Sequence, residues 1–395
     1  MADFGHGGNA KEISRSRGIA YENIIDFSAN INPMGMPESA KEAIINNLDA
    51  IEKYPDITYF ELKNSIKDFE NSKIHEKQLK IENEEIILGN GAAEVLFNVV
   101  KAIEPKNVLI PAPTFSEYEE AVNAVKGNVN LYYLKEDNQF RIQDDILDHI
   151  NSNLDLIFIC NPNNPTGVVT HRDILKKILD KSLENNVYVI IDESFLDFLK
   201  EDHSMITYLK SYNNLIIIKS LTKFFAIPGM RAGYALCNNK SFLDKVNSIT
   251  PAWNINILAE EAVKAALKDD KYIKESIDFM EKEKDYLYNK LKDIKGIKVF
   301  KPSVNFIFFK LDLKSDPEKK GGNDKRRDEI IPSSLSGHEN KEDLVNIDIK
   351  DILIEKNILI RSCRNYHGLN NLYYRIAVRN HEDNTLIIDA LNQIL

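Results

Sequence analysis

Ser220-Leu221-Thr222-Lys223-Phe224-Phe225-Ala226-Ile227-Pro228-Gly229-Met230-Arg231-Ala232-Gly233-Tyr234 is the stretch on which the reading of this chain turns. It follows the apolar run Leu215 to Ile218, which has the composition of a buried strand. Beyond that run come two hydroxyls, Ser220 and Thr222, then Lys223, and Arg231 eight residues further on. A lysine in such company can form an imine with an aldehyde while the hydroxyls and the second cation bind a phosphate on the same molecule. Taken alone, the stretch also reads as a solvated lysine at a strand end.

Around it, from about Ile86 to Cys237, short β-rich runs alternate with helical patterns. Strands are expected at Ile86–Leu88, Asn107–Ile110, Asn130–Tyr133, Leu156–Cys160, Val187–Ile191, Leu215–Ile218 and Gly233–Cys237, with amphipathic stretches such as Ala92–Ala102 and Arg172–Leu183 between them. This alternation predicts an α/β domain built on a mostly parallel seven-stranded sheet covered on both faces. Ligands of such sheets sit at the carboxyl ends of the strands. A helical pattern from about Ile257 to Leu291 leads into a smaller α+β C-terminal domain. The expected organisation is an N-terminal arm or lid over residues 1–40, a large domain over 41–256, and a linker helix with the small domain over 257–395. Residues 314–342 are charged and poor in apolar side chains. Such a composition cannot offset its ordering entropy, so a flexible surface insertion is expected there.

A net charge of −10 argues against a nucleic-acid binder, although a local basic pocket remains open to a small anion. Cys160, Cys237 and Cys363 are far apart and form no CxxC, which fits reduced thiols in a cytoplasmic protein. No metal site is expected. No basic-then-apolar leader opens the sequence, and no apolar run reaches membrane-spanning length.

The other motifs fall just after predicted strands. Leu88-Gly89-Asn90-Gly91-Ala92-Ala93-Glu94 takes a strand into a helix through glycines, and free N–H groups at a helix start attract phosphate. Asn161-Pro162-Asn163-Asn164-Pro165-Thr166-Gly167 is a loop stiffened by proline, from which Asn164 could donate to a phenolate oxygen. Asp192, at the end of an apolar strand, needs a cationic partner, and a pyridinium nitrogen would be one. Phe115, in Pro113-Thr114-Phe115, could stack on a flat ring. Each also has a plain structural reading as a turn, a rigid loop, a helix cap or a core phenylalanine. Pyridoxal phosphate presents an aldehyde, a phosphate, a phenolic oxygen and a pyridine nitrogen together.

In this order the motifs resemble the fold-type I pyridoxal-phosphate enzymes, the aspartate-aminotransferase-like superfamily, over nearly the whole chain apart from the charged insertion. The resemblance implies that Lys223 carries the Schiff base, Asp192 pairs with the ring nitrogen, Asn164 bonds the phenolic oxygen and Phe115 stacks on the ring. It assigns the phosphate to Gly91, Ala92, Ala93, Ser220, Thr222 and Arg231. Tyr54 resembles the tyrosine that reaches the phosphate of a neighbouring subunit, which implies a homodimer.

Departures from the general pattern narrow the reaction. Phe195 stands where many aminotransferases carry a tyrosine, so one donor to the phenolic oxygen is lost. His6-Gly7-Gly8-Asn9, Asp26-Phe27-Ser28-Ala29-Asn30-Ile31-Asn32-Pro33, and the arginines of Ile360-Arg361-Ser362-Cys363 and Tyr374-Arg375-Ile376-Ala377-Val378-Arg379 complete the set. Together these resemble the L-threonine-O-3-phosphate decarboxylase family of cobalamin biosynthesis, which is close to histidinol-phosphate aminotransferase. The resemblance implies decarboxylation of L-threonine O-3-phosphate to (R)-1-amino-2-propanol O-2-phosphate, with His6, Asn32, Asn164, Arg361 and Arg375 holding the substrate. Transamination of a phosphorylated amino compound, or decarboxylation of L-serine O-phosphate, are the alternatives.

Overall fold

The computed structural model describes residues 7–312 and 348–395. His6 and the expected insertion at 314–342 lie outside the described residues. The larger of two compact units comprises Ile31–Asn164 and Val168–Phe279, and the smaller takes up the rest of the described chain.

After a two-residue strand β1 (Ile25–Asp26), the next seven strands form one sheet in the larger unit. They are β2 (Ile86–Gly89), β3 (Asn107–Ala112), β4 (Asn128–Tyr133), β5 (Leu156–Cys160), β6 (Tyr188–Asp192), β7 (Leu215–Ser220) and β8 (Gly233–Cys237). Their order is β2-β8-β7-β6-β5-β3-β4. Only β8 runs antiparallel to its neighbours β7 and β2; the remaining pairs are parallel. Strands β5 and β7 are buried at every position, as expected where helices cover both faces and the pattern becomes continuously apolar. The edge strand β4 alternates exposed and partly buried residues instead. Helix Ala92–Ile103 buries Val95, Leu96, Val99, Val100 and Ala102, one stripe at helical spacing, against this sheet.

The helical pattern read over Ile257–Leu291 is two helices, Ile257–Ala266 and Asp270–Lys292. The break has a local cause. The Asp269 carboxylate accepts the backbone N–H of Tyr272 at 3.0 Å and so starts a new helix.

In the smaller unit, β9 (Ile297–Val299), β10 (Phe306–Leu311), β12 (Arg361–Ser362) and β13 (Tyr373–Ala377) make an antiparallel sheet in the order β12-β13-β10-β9. Strand β11 (Ile358–Leu359) pairs in parallel with β1. Helix Ala10–Arg17 follows Asn9 and ends at Gly18, whose φ of 69° gives the left-handed cap. Among the described residues, no helix is long and apolar enough to cross a membrane.

Candidate active site

Three strand ends meet at Gly233, which is the register partner of both Gly89 on β2 and Ser220 on β7. The approach is close enough to demand glycine: a Cβ at Gly233 would stand 2.3 Å from the backbone nitrogen of Ala92. From Gly89 the chain turns through Gly91, at φ +90°, into helix Ala92–Ile103. Gly91 brings no side-chain cap to that helix start, so its backbone donors are left to a ligand or solvent. A Cβ at Gly91 would lie 2.4 Å from the guanidinium of Arg231, so the same glycine keeps room for that cation. Ser220 Oγ and Thr222 Oγ1 sit 3.0 Å apart beside it. Hydroxyls, a helix N-terminus and a guanidinium thus converge, as an anion requires.

At the other end, Asp192 closes β6 opposite Cys160 and Ile218 in register. Its Oδ1 accepts the Ser194 backbone N–H at 2.9 Å, and its Oδ2 accepts the Tyr118 hydroxyl at 2.8 Å. Burial first, and the Asp192 charge second, hold the Tyr118 phenol well above its usual pKa. Burial and Asp192 likewise push the Cys160 thiol up to about 12, so it stays neutral. The half-buried Lys223 lies between the two ends, its Nζ 4.8 Å from the Phe195 ring centroid. The cavity is about 260 Å³, and Ala92, Phe115, Asn164, Asp192, Lys223 and Arg231 line it.

An anion cradle, an amine, an aromatic wall and a buried carboxylate, in one cavity, fit a flat phosphorylated pyridine aldehyde. Residues 22–391 match the family described as aminotransferase class I and II. The chain belongs to that family. Members of this aminotransferase family use pyridoxal phosphate, and the donor set above accommodates it. The chain is 32% identical to the threonine-phosphate decarboxylase of Salmonella typhimurium over 99% of its own length and 96% of that protein's. It is similar to the crystal structure of histidinol-phosphate aminotransferase from Clostridium acetobutylicum, with a TM-score of 0.78, 32% identity, and coverage of 93% and 97% of the two chains. It also resembles L-threonine-O-3-phosphate decarboxylase from Porphyromonas gingivalis, with a TM-score of 0.73, 26% identity, and coverage of 92% and 97%.

Other residues singled out in the sequence have partners of their own. Asn32 donates its amide to the Phe224 carbonyl and to Ser276 Oγ, each at 2.9 Å, and its backbone N–H to the Lys223 carbonyl at 3.1 Å. It braces the lysine's backbone. Tyr54 is 79% exposed and leans on Trp253 with ring centroids 4.7 Å apart. In the smaller unit, Arg361 and Arg375 are register partners. Arg361 donates to Asn365 Oδ1 and Arg375 to the Ser28 carbonyl, both at 2.8 Å.

Two features escaped the sequence reading. Tyr118, three residues after Phe115, is one; nothing in its neighbourhood in the sequence marks it as a partner of Asp192. The other is a buried charge cluster one residue beyond the motif positions. Lys219 Nζ lies 3.1 Å from Glu70 and 3.7 Å from both Glu193 and Asp197. Burial alone would lower the Lys219 pKa, but the three carboxylates outweigh it and the ammonium is held above its usual value. A lysine ending an otherwise apolar strand was the sign that acids must gather around it.

Proposed function

We propose that the chain is a pyridoxal-phosphate-dependent carboxy-lyase that converts L-threonine O-3-phosphate to (R)-1-amino-2-propanol O-2-phosphate, the amino alcohol phosphate of cobalamin biosynthesis. The observation that carries it is the register pairing of Arg361 with Arg375, two buried arginines on neighbouring strands. Two guanidiniums brought to one part of a sheet suit a doubly charged phosphate, whose several oxygens can each take a forked donor. The likeness to threonine-phosphate decarboxylases supports the same substrate.

In this reading Lys223 would hold the cofactor covalently, with Asp192 at the ring nitrogen, Asn164 at the phenolic oxygen and Phe115 on the ring face. Gly91, Ala92, Ala93, Ser220, Thr222 and Arg231 would take its phosphate. When bound, the cofactor would supply an electron sink for the substrate's Cα. Arg361 and Arg375, with His6, secure the substrate phosphate more tightly than its carboxylate. The carboxylate, held less tightly, would be the group free to leave as carbon dioxide. Asn32 keeps Lys223 in position, and Lys223 Nζ delivers the proton that replaces the carboxylate on Cα. Phe195 offers the neighbouring lysine a ring face and no phenol.

The same assignment gives a cytoplasmic homodimer in which Tyr54 reaches the partner's cofactor phosphate. Ile45, Ile51, Tyr54, Ile57 and Phe60 are all more than half exposed on the larger unit, apolar side chains that a second copy would cover. Incubating the loaded protein with threonine phosphate tests the reaction. Carbon dioxide release without a keto-acid partner is the expected result. Turnover that depends on 2-oxoglutarate would instead make it a transaminase, the reading favoured by its likeness to histidinol-phosphate aminotransferase. A higher kcat/KM for serine phosphate would move the substrate by one methyl group, a difference worth only ~1–3 kcal/mol.

A further inference from the structure

We propose that Tyr118 is a positioning residue of the cofactor site, which fixes through its hydroxyl the carboxylate that meets the cofactor's ring nitrogen. The inference rests on the pyridoxal-phosphate reading above and extends it by one residue. Tyr118 lies in the first turn of helix Glu117–Ala124 and is fully buried. Its ring stacks on Phe158 with centroids 4.8 Å apart and planes 8° apart, and it meets Phe115 edge-on at 5.7 Å. A ring gripped on two sides has one place for its hydroxyl, and that place is Asp192 Oδ2, 2.8 Å away. The Ser194 N–H occupies Oδ1, so each carboxylate oxygen has one fixed donor and the carboxylate plane is set before any ligand enters.

The titratable groups around Asp192 are few. Tyr118 comes from the helix after β3, Cys160 from β5 and Lys223 from the turn after β7. With the phenol and the thiol both kept protonated by burial, Tyr118 has a proton to donate and Cys160 adds no charge. Donors to a carboxylate favour its ionised form, and an ionised carboxylate keeps the neighbouring ring nitrogen protonated. That positive charge is what lets the ring accept electrons. Without the Tyr118 hydroxyl, Asp192 would lose one of its two fixed donors, and the bound ring would be held with less positive charge. The absorption midpoint governed by the nitrogen that Lys223 contributes would then rise. The same tyrosine also sets the edge of Phe115, so a single side chain orients both the carboxylate and the stacking wall.

The test compares Tyr118→Phe, Asp192→Asn and Phe158→Leu, each loaded with pyridoxal phosphate. The readouts are a visible-absorption pH titration, cofactor dissociation by equilibrium dialysis, steady-state kinetics and thermal melts. Tyr118→Phe should raise the absorption midpoint by roughly half to one pH unit, in the same direction as Asp192→Asn but by less. It should also loosen the cofactor and lower kcat by about tenfold with KM nearly unchanged. Phe158→Leu, which loosens packing but keeps the hydroxyl, should lower the melting temperature and leave the midpoint in place. A Tyr118→Phe midpoint and kcat equal to wild type, beside a shifted Asp192→Asn, would overturn the role of Tyr118 alone. An unshifted Asp192→Asn, or wild-type protein that takes up no pyridoxal phosphate, would overturn the reading beneath it as well.

Discussion

Arg361 and Arg375 face each other across β12 and β13 as register partners, each only 5% exposed. The Arg375 guanidinium is pulled below its usual pKa by burial, against the opposing pull of Tyr366 and Cys363, with Arg361 adding to the lowering. A bound phosphate would favour the charged form of such a group. Arg375→Ala should therefore lower kcat/KM for threonine phosphate at least ~30-fold, about 2 kcal/mol, measured as carbon dioxide release. Arg375→Lys should recover little of this, because an ammonium cannot reproduce the fork. Unchanged kcat/KM in the alanine variant removes the pair from substrate binding.

Lys223 lines the same cavity as Asp192, Ser220, Thr222 and Arg231. Borohydride treatment of the loaded protein should fix a pyridoxyl group there, located by peptide mass. Lys223→Ala should abolish that adduct and cost on the order of 10²–10⁴ in kcat. An adduct mapped to another lysine defeats the assignment.

Gly91 keeps clear the space that Arg231 occupies, at a φ of +90° that other side chains resist. Gly91→Ala combines that backbone strain, ~1–3 kcal/mol, with a displaced guanidinium. Weaker cofactor binding in equilibrium dialysis, by roughly tenfold or more, is the expected outcome. Wild-type affinity would show that the turn tolerates a Cβ and that Arg231 has room to move.

Glu193 supplies a pH dependence with a definite sign. Burial lifts its carboxyl to about 7, against the opposing pull of Lys219 and the hydrogen bonds from Met205 and Ser204. A carboxyl raised in the folded state stabilises most below its unfolded pKa of 4.5 and loses that contribution as pH rises through about 7. Glu193→Gln lacks this titration. The melting temperature of wild type relative to Glu193→Gln should thus fall between pH ~5 and ~8, by the equivalent of on the order of 2–3 kcal/mol. A constant difference across that range contradicts the buried-acid account.

The exposed apolar side chains of the larger unit carry the homodimer proposal. Ile51 and Ile57 are 63% and 60% exposed. Light scattering should give twice the chain mass for wild type and a shift toward monomer for the Ile51→Asp, Ile57→Asp double variant. Activity should fall with it, since Tyr54 would no longer reach a partner. A monomeric wild-type protein with full activity excludes the composite site.

Much of the site was legible in the chain because its chemistry sits at strand ends. Gly91, Phe115, Asn164, Asp192 and Lys223 each follow an apolar run within a few residues; parallel pairing of β3, β5, β6 and β7 brings four of those ends to one rim, and β8, antiparallel to both β7 and β2, brings the end of β2 to the same rim. Tyr118 was not legible as a partner of Asp192, because 74 residues separate them and nothing local marks a tyrosine as a donor. Lys219 in an apolar strand signalled that acids must gather around it but not which ones: Glu70 comes from a helix 149 residues earlier. The long helical pattern beginning at Ile257 was misjudged in extent, because the Asp269 carboxylate's capping bond is a matter of local geometry that periodicity does not express.

Local order along the chain was enough to mark the strands of the seven-stranded sheet, the glycine turn into helix Ala92–Ile103 and the candidate polar residues at strand ends, since those depend on neighbours within a few positions. The three-dimensional arrangement alone decided which hydroxyl meets Asp192, which acids neutralise Lys219 and that Arg361 stands opposite Arg375. Those pairings join segments distant in sequence, and their strength comes from exclusion of water, which only the packed sheets and helices provide.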